Sequence, residues 1–333
     1  MKPIAFGVVG TGALGFHHAR ILDDLPGTDL VGFFDISAEC RLRVAKELRI
    51  HAYATLEELL DEVDALVIAV PTSAHEEVAL AAAERGIDLL IEKPLAPTVE
   101  AADRILDAVE RAGVTLQVGH VERFNSAIRA AEEWLDNPLF IESQRIAPFT
   151  PRGTDVAVVL DLMIHDVDLI QSLVSSLAVD VAATGIPVLT STIDIANARV
   201  AFANGAVANL TASRVSLGRV RKLRIFQPSG YLSLDLAAGR GEFLRLRKEL
   251  PAFASGGGGE IGVEPRALED VVDRIVLEGD RAEPLRIELE SFRDAVLGLH
   301  PPAVPGVQGR DALALTQIIE DRIHRHVADT RPT

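Results

Sequence analysis

The chain has little cysteine and few aromatic residues, and its composition excludes several kinds of protein. A single cysteine, Cys40, leaves no partner for an internal disulfide, which predicts a reducing compartment such as the cytoplasm. Aromatic side chains make up 5% of the 333 residues. No run of about 18 apolar residues is without a charge, so we expect no membrane contact through a spanning helix.

Basic residues are also scarce. Lys and Arg number 33 against 49 Asp and Glu, which gives a net charge of −16 and disfavours nucleic acid as a partner. The first residues already have the pattern of a strand, so we expect no signal peptide. At about 150 residues per domain, the length predicts two domains.

A glycine-rich turn follows the first apolar run. Gly10, Gly12 and Gly15 form a G-x-G-x-x-G pattern between a predicted strand over 4–9 and a predicted helix over 16–22. The first glycine allows a tight turn, the second lets the backbone approach a pyrophosphate, and the third lets the helix pack on the sheet. This context indicates a dinucleotide site rather than an ordinary glycine turn.

An acid follows twenty residues after the last of these glycines, at the end of a second apolar run. Asp35 can accept hydrogen bonds from the adenosine ribose, and it would repel a 2′-phosphate. Ile36 and Ser37 follow it with no adjacent arginine, so the sequence predicts NAD rather than NADP.

Strands and helices alternate up to residue 120, which predicts a Rossmann domain, a doubly wound parallel sheet, over 1–120. Ligands bind at the carboxyl ends of such strands. We therefore expect the cofactor site to comprise Gly10, Gly12, Ala13, Leu14, Gly15, Asp35, Ile36, Val70, Pro71, Thr72, His75, Glu92 and Lys93.

The pattern then changes to strands, and the sequence predicts an α+β domain over 121–333. We expect helices over 124–135, 156–173, 285–297 and 310–326 on one face of an open, mostly antiparallel sheet. Asn204-Gly205 is a strong hairpin signal between two of its strands. An open sheet face needs cover, which predicts a homodimer or homotetramer.

Two groups of residues could carry chemistry. Lys93, within Glu92-Lys93-Pro94, follows a parallel strand and could stabilise an alkoxide, or it could be a surface lysine. Asp161 and His165 are four apart on the predicted helix and should share a face, where the carboxylate would orient the imidazole. His165 could then accept a proton from an alcohol, or it could be a satisfied core histidine.

Other polar residues could contact a substrate. His120, Arg123 and Asn125 lie at the domain junction, where Arg123 could instead pair with an acid. The basic cluster of Arg214, Arg219, Arg221, Lys222 and Arg224 could bind an anion, or it could be a solvated face or a subunit contact. We expect no metal site, because the candidate site has no cysteine pair and no H-x-x-x-H or H-x-H spacing.

Taken together, the glycine turn, Glu92-Lys93-Pro94 and the Asp161-x-x-x-His165-Asp166 helix resemble the glucose–fructose oxidoreductase / inositol dehydrogenase / MocA family along essentially the whole chain. The resemblance implies a Rossmann domain, a second open-sheet domain that often mediates oligomerisation, and oxidation of a sugar or cyclitol hydroxyl. It assigns catalysis to Lys93, Asp161 and His165.

Further motifs, including 117–125, 149–156 and 221–227, resemble the bacterial UDP-N-acetylglucosamine 3-dehydrogenases, a group that provides the 3-keto sugar on the route to the diamino sugar of lipid A. This narrower resemblance implies a nucleotide-sugar substrate whose diphosphate Arg152 and the basic cluster would suit. Two alternatives stay open: a dehydrogenase of a free sugar, inositol or sugar acid, and a regulatory protein that senses NAD and sugar without turnover. The residues predicted to bind substrate are His120, Arg123, Asn125, Arg152, His165 and Arg214.

Overall fold

The computed structural model describes residues 3–150, 156–247 and 271–330. Packing divides the chain into two units, Met1–Phe124 with Ala282–Leu315, and Asn125–Arg281 with Thr316–Thr333. The predicted domains, 1–120 and 121–333, differ from this division because a late stretch of the chain packs with the first unit.

A parallel sheet of five strands forms the centre of the first unit. The strands are β1 Ile4–Val9, β2 Thr28–Phe34, β3 Ala65–Ile68, β4 Asp88–Glu92 and β5 Leu116–Gly119. Their order is β2-β1-β3-β4-β5, with every pairing parallel, as the Rossmann prediction requires. β2 lies on one side of β1 and β3 on the other, so the strand order reverses between β1 and β3. A crevice opens at the carboxyl ends of these two strands.

Helices follow the strands of the first unit. They are α1 Ala13–Asp24, α2 Ala38–Leu48, α3 Leu56–Leu60, α4 His75–Ala83 and α5 Val99–Ala112. The Thr55 hydroxyl accepts from the Glu58 amide at 3.2 Å, and the Glu58 carboxylate accepts from the Thr55 amide at 3.3 Å. This capping box fixes the start of α3.

The helix that completes the first unit comes from late in the chain. This helix, α8, spans Pro284–Val296. Leu289 and Phe292 are fully buried, and the Phe292 ring meets that of Phe6 edge-on at a centroid distance of 5.9 Å. This apolar contact explains why 282–315 belongs to the first unit.

The second unit is built on an eight-stranded sheet. The strands are β6 Phe140–Ile146, β7 Ala178–Ile186, β8 Ile195–Phe202, β9 Val207–Ser213, β10 Val220–Gln227, β11 Gly230–Asp235, β12 Arg240–Leu246 and β13 Val272–Glu278. Their order is β13-β12-β11-β10-β6-β9-β8-β7, and β6 with β9 is the parallel pair. Gly205 turns between β8 and β9 at φ 88°, as the hairpin signal predicts.

Three predicted helices of the second half differ in the structure. The helix expected over 124–135 is α6 Ser126–Ala131 between 3₁₀ turns. The helix expected over 156–173 starts with a π-helical turn, Val159–Met163, and continues as α7 Ile164–Val174. The closing helix, α9, spans Gly306–Thr330 and starts earlier than expected. Among the described residues, no helix is long and apolar enough to cross a membrane.

Candidate active site

The glycine turn lies at the carboxyl end of β1. Gly10 has φ 82°, and Gly15 packs so closely that a Cβ there would lie 1.8 Å from the Gly10 carbonyl oxygen. A Cβ on Gly12 would meet nothing within 4 Å. No described side chain caps the N-terminus of α1, so the amides of its first turn are available to bind an anion beside Gly12.

A cavity of about 630 Å³ opens beside this turn. Six of the predicted cofactor residues line it, namely Gly10, Gly12, Asp35, Ile36, Val70 and Pro71. The cavity also includes Ser37, Cys40 and Glu77, which the sequence did not single out, because α2 and α4 bring them to the crevice only after folding. The bare backbone at Gly12 and the nearby carboxylate fit the pyrophosphate and ribose of NAD.

Hydrogen bonds fix the Asp35 carboxylate in this cavity. Its oxygens accept from the Thr11 amide at 2.7 Å and the Ser37 amide at 2.9 Å. The sequence shows no arginine adjacent to Asp35, but α2 brings two: Arg41 donates to the Asp35 carbonyl, and Arg43 donates to the Thr11 carbonyl at 3.5 Å. Both guanidinium groups bind main-chain oxygens, and that of Arg43 also donates to the Cys40 sulfur at 3.3 Å, whereas the Asp35 carboxylate accepts from the Thr11 and Ser37 amides.

The Lys93 side chain is half-buried where β4 ends, and the Lys93–Pro94 peptide bond is cis. The preceding Glu92 is buried and accepts through Oε2 from the Lys93 amide at 3.3 Å. Its Oε1 lies 2.7 Å from Nε2 of His18, on α1. The segment before Lys93 is therefore tied to the helix that follows the glycine turn.

His18, Glu92 and Glu288 form a buried group whose potential ligand atoms all lie within 4.8 Å of one another. The sequence did not point to it, because Glu288 lies on α8. The 2.7 Å between His18 and Glu92 is a hydrogen-bond distance, so these two side chains form a buried polar contact inside the first unit.

His75, predicted to bind cofactor, is buried at the start of α4. Its Nε2 lies 3.0 Å from the Val70 carbonyl, and its Nδ1 lies 3.0 Å from the Pro94 carbonyl. The imidazole therefore connects the turns after β3 and β4. Burial lowers the pKa of His75 from 6.5, against the opposing effect of these carbonyls.

We expect the His75 imidazole to make stability depend on pH. Below about pH 6.5 the unfolded chain takes up a proton that the folded protein resists, so the free energy of unfolding falls as the pH drops from about 6.5 toward the folded pKa. The slope for one proton is at most about 1.4 kcal/mol per pH unit. The free energy of unfolding can be measured with denaturant at several pH values. Its dependence on pH should be weaker in His75→Gln than in wild type, and it should be unchanged in the exposed control His17→Gln. Equal slopes for His75→Gln and wild type would contradict this origin.

In the second unit, Asp161 lies in the π-helical turn and His165 lies in the first turn of α7. Both side chains are half-exposed, so both reach the surface of this unit. The spacing argument assumed an uninterrupted α-helix, and that assumption is wrong because a π turn contains more residues per turn. The pairing of Asp161 with His165 stays a prediction.

The predicted substrate residues have different surroundings. His120 is buried and Arg123 half-buried, both in the first unit. Asn125 is buried at the start of α6, where its Oδ1 accepts from the Ala127 amide at 3.0 Å and its Nδ2 donates to the Leu236 carbonyl at 2.9 Å. These bonds give Asn125 a structural role that the substrate prediction did not foresee. Arg152 lies outside the described residues.

Two arginines of the predicted basic cluster have different surroundings. Arg214 is buried, and its Nε donates to Asp194 at 2.8 Å, so it has a structural ion pair, while its contact with substrate stays a prediction. Arg224 instead lies on the exposed sheet face, where it donates to Glu142 at 2.8 Å and stacks 5.2 Å from the Phe226 ring centroid. The two arginines separate because Arg214 directly follows β9 and is buried, whereas Arg224 points outward from β10.

Family models match the chain in both of its units. Residues 4–120 match the model of the GFO/IDH/MocA oxidoreductase family with its NAD-binding Rossmann fold, and residues 128–233 match the C-terminal domain of the same family. A UDP-N-acetylglucosamine 3-dehydrogenase from Acidithiobacillus ferrooxidans is 37% identical over 309 residues, which cover 92% of this chain and 93% of that enzyme. The scyllo-inositol 2-dehydrogenase (NAD(+)) of Bacillus subtilis is 30% identical, covering 63% of this chain and 67% of that one.

Solved structures show the same fold. A structure of the Acidithiobacillus ferrooxidans enzyme has a TM-score of 0.87 at 33% identity and covers 98% of this chain and 99% of that chain. Levoglucosan dehydrogenase, solved with NADH and levoglucosan, has a TM-score of 0.82 at 17% identity, covering 97% of this chain and 98% of that one. The chain therefore belongs to the GFO/IDH/MocA family of NAD-binding oxidoreductases.

Proposed function

We propose that this chain oxidises the 3-hydroxyl of UDP-N-acetylglucosamine to the 3-keto sugar with NAD. The observation that carries the proposal is the identity of 37% with a UDP-N-acetylglucosamine 3-dehydrogenase, because it extends over 92% of this chain and so includes the unit that does not bind the cofactor. Lys93, Asp161 and His165, which the family resemblance assigns to catalysis, are all present.

Each of these three residues receives a role. NAD, when bound, supplies the hydride acceptor. His165 accepts the proton of the hydroxyl, and the Asp161 carboxylate orients its imidazole. The Lys93 ammonium donates a hydrogen bond to the same oxygen and stabilises the negative charge that develops there. Whether His165 or Lys93 is the formal base is decided by the pH dependence of the single variants.

The diphosphate of the substrate needs cationic partners. With Arg214 paired to Asp194, we assign this contact to Arg152 and Arg123, and we keep His120 as a ligand of the sugar. A dehydrogenase of a nucleotide sugar would thereby differ from one of a free sugar mainly in these arginines.

The test is a substrate screen followed by NADH absorbance. We expect UDP-N-acetylglucosamine to give NADH with NAD⁺, and N-acetylglucosamine without UDP to give at least about a hundredfold lower kcat/KM, since the charged diphosphate contacts are lost. Product analysis by NMR then locates the ketone. Equal activity on the free sugar or on inositol would favour the alternative that the inositol dehydrogenase relatives support.

The regulatory alternative predicts a different result. A protein that only senses NAD and sugar would bind both without forming NADH, and loss of Lys93 would leave its response intact. Absence of turnover with every sugar tested, together with measurable sugar binding, would support that alternative.

The exposed face of the large sheet supports a homodimer or homotetramer. Phe140, Phe226 and Tyr231 lie together on it, with the Phe226 and Tyr231 rings stacked at 5.1 Å. Covering such an aromatic surface is favourable, so we propose that a second copy packs there. We also propose a cytoplasmic location, where the single Cys40 stays reduced.

A further inference from the structure

Residues 156–166 carry Asp161 and His165, and buried ion pairs hold this segment at both ends. One pair, Asp194 with Arg214, lies where the segment starts. The other, Asp166 with Arg145, lies where α7 begins. All four residues belong to the second unit.

The first pair fixes the backbone that enters the π-helical turn. Arg214 donates from Nε to Asp194 at 2.8 Å and from a terminal nitrogen to the Val156 carbonyl at 2.7 Å. The Val158 amide donates to the Ile193 carbonyl at 2.9 Å, next to the same aspartate. The guanidinium group therefore bridges the segment and Asp194, which directly precedes β8.

Asp194 is itself held on several sides. Its Oδ2 accepts from the amides of Val188, Leu189 and Thr190 at 2.7, 2.6 and 2.9 Å. Burial opposes the charge, but these amides and Arg214 outweigh it and lower the pKa of Asp194 well below its usual range. The carboxylate is charged at neutral pH, and the anchor remains an ion pair.

The second pair fixes the other end of the segment. The Arg145 side chain, on β6, donates from Nε to both Asp166 oxygens at 3.1 Å and from a terminal nitrogen to Oδ1 at 2.7 Å. Each of the two side chains is only 3% exposed. Asp166 directly follows His165, so this bidentate contact ties the backbone of His165 to the sheet.

Between the anchors lies the π turn, a rare conformation that is often found at functional sites. Buried ion pairs are weak contributors to stability, since well-packed apolar residues can replace them at no loss. The presence of two such pairs, one on each side of a rare turn, is therefore better explained by a role in fixing the backbone conformation of the turn than by a contribution to stability.

We propose that Asp194, Arg214, Arg145 and Asp166 are positioning residues that hold the register of the π turn. They set the orientation of Asp161 toward His165 and act on the reaction only through these two side chains. The proposal rests on the catalytic assignment of Asp161 and His165 in the proposed function.

The experiment compares Asp194→Asn and Asp166→Asn, which keep side-chain shape and remove charge. We expect kcat on UDP-N-acetylglucosamine to fall about tenfold to a hundredfold, because small displacements of a catalytic group are costly. The KM values and the Kd for NAD should stay within about twofold, and the deuterium isotope effect on kcat, with substrate deuterated at the oxidised carbon, should rise. Asp280→Asn removes an exposed pair with Arg129 in the same unit and should match wild type.

A purely structural role gives another pattern. The thermal midpoint would fall while kcat and the isotope effect, measured well below that midpoint, stay at wild-type values, and this result would overturn the proposal. If either Asn variant does not fold, Arg214→Lys and Arg145→Lys take its place, since they keep the charge and lose the fork geometry.

A readout without substrate separates this proposal from the proposed function. The imidazole signal of His165, assigned by its loss in His165→Asn, should shift in NMR spectra of the anchor variants of the full chain and not in Asp280→Asn. An unmoved signal in both anchor variants would refute the positioning role even in an active enzyme. Shifted signals in a protein without activity on any sugar would refute the proposed function and leave the positioning role standing.

Discussion

We expect Lys93→Met to lower kcat by about a hundredfold to ten-thousandfold while the Kd for NAD changes less than about threefold. The substitution keeps an unbranched side chain and removes the ammonium that donates to the reacting oxygen. The Lys93 backbone is held by Glu92, whose carboxylate is held in turn by His18, so the fold should not change. Stopped-flow turnover and calorimetric NAD titration measure the two quantities.

Lys46→Met is the matched control for this variant. Lys46 is exposed in the last turn of α2, in the same unit, and its loss should leave kcat unchanged. If Lys93→Met turned over at a near wild-type rate, Lys93 would have no part in the mechanism, and the family assignment of its role would fail for this chain.

Gly12→Val should abolish cofactor binding without unfolding the protein. A Cβ built on Gly12 would meet no described atom within 4 Å, so an added side chain has room there. The valine would project into the cavity where the pyrophosphate approaches the turn. We expect the Kd for NAD to rise at least about a hundredfold, which is about 2.7 kcal/mol, with little change in the thermal midpoint.

Two other glycines serve as comparisons. Gly218→Val also enters open space, but in a loop of the second unit, and should leave NAD binding unchanged. Gly15→Ala should instead destabilise the fold by several kcal/mol, because its Cβ would collide with the Gly10 carbonyl. Wild-type NAD affinity in Gly12→Val would mean that the pyrophosphate does not lie on this turn.

Local features of the first unit could be predicted because their causes are local. A strand that ends in Gly10, a helix that starts after Gly12 and an acid at the end of β2 follow from side-chain alternation and glycine conformation alone. The capping box at Thr55 also depends on neighbours only a few residues apart, and so does the hairpin at Gly205 in the second unit.

The π turn could not be predicted in this way. The apolar pattern from residue 156 onward is that of an ordinary helix, and we infer that the contacts holding the two ends of the segment favour the extra residue per turn. Those anchors come from β6 and from the stretch before β8, which no spacing rule connects to Asp161. The burial of Arg214 could not be predicted for the same reason. In the sequence this residue belongs to a basic run, and only the fold places Asp194 beside it.

The class of cofactor, the alternation of strands and helices in the first unit and the side chains that could take part in proton transfer were all predictable from the sequence. Each of them depends on short-range pattern and residue chemistry. Three features became visible only after folding: α8 completes the first core, Arg41 and Arg43 donate to the main chain at Asp35 and Thr11, and Arg214 is buried beside Asp194. These outcomes depend on contacts between residues far apart in the chain, whose free energies exist only once the whole unit has packed.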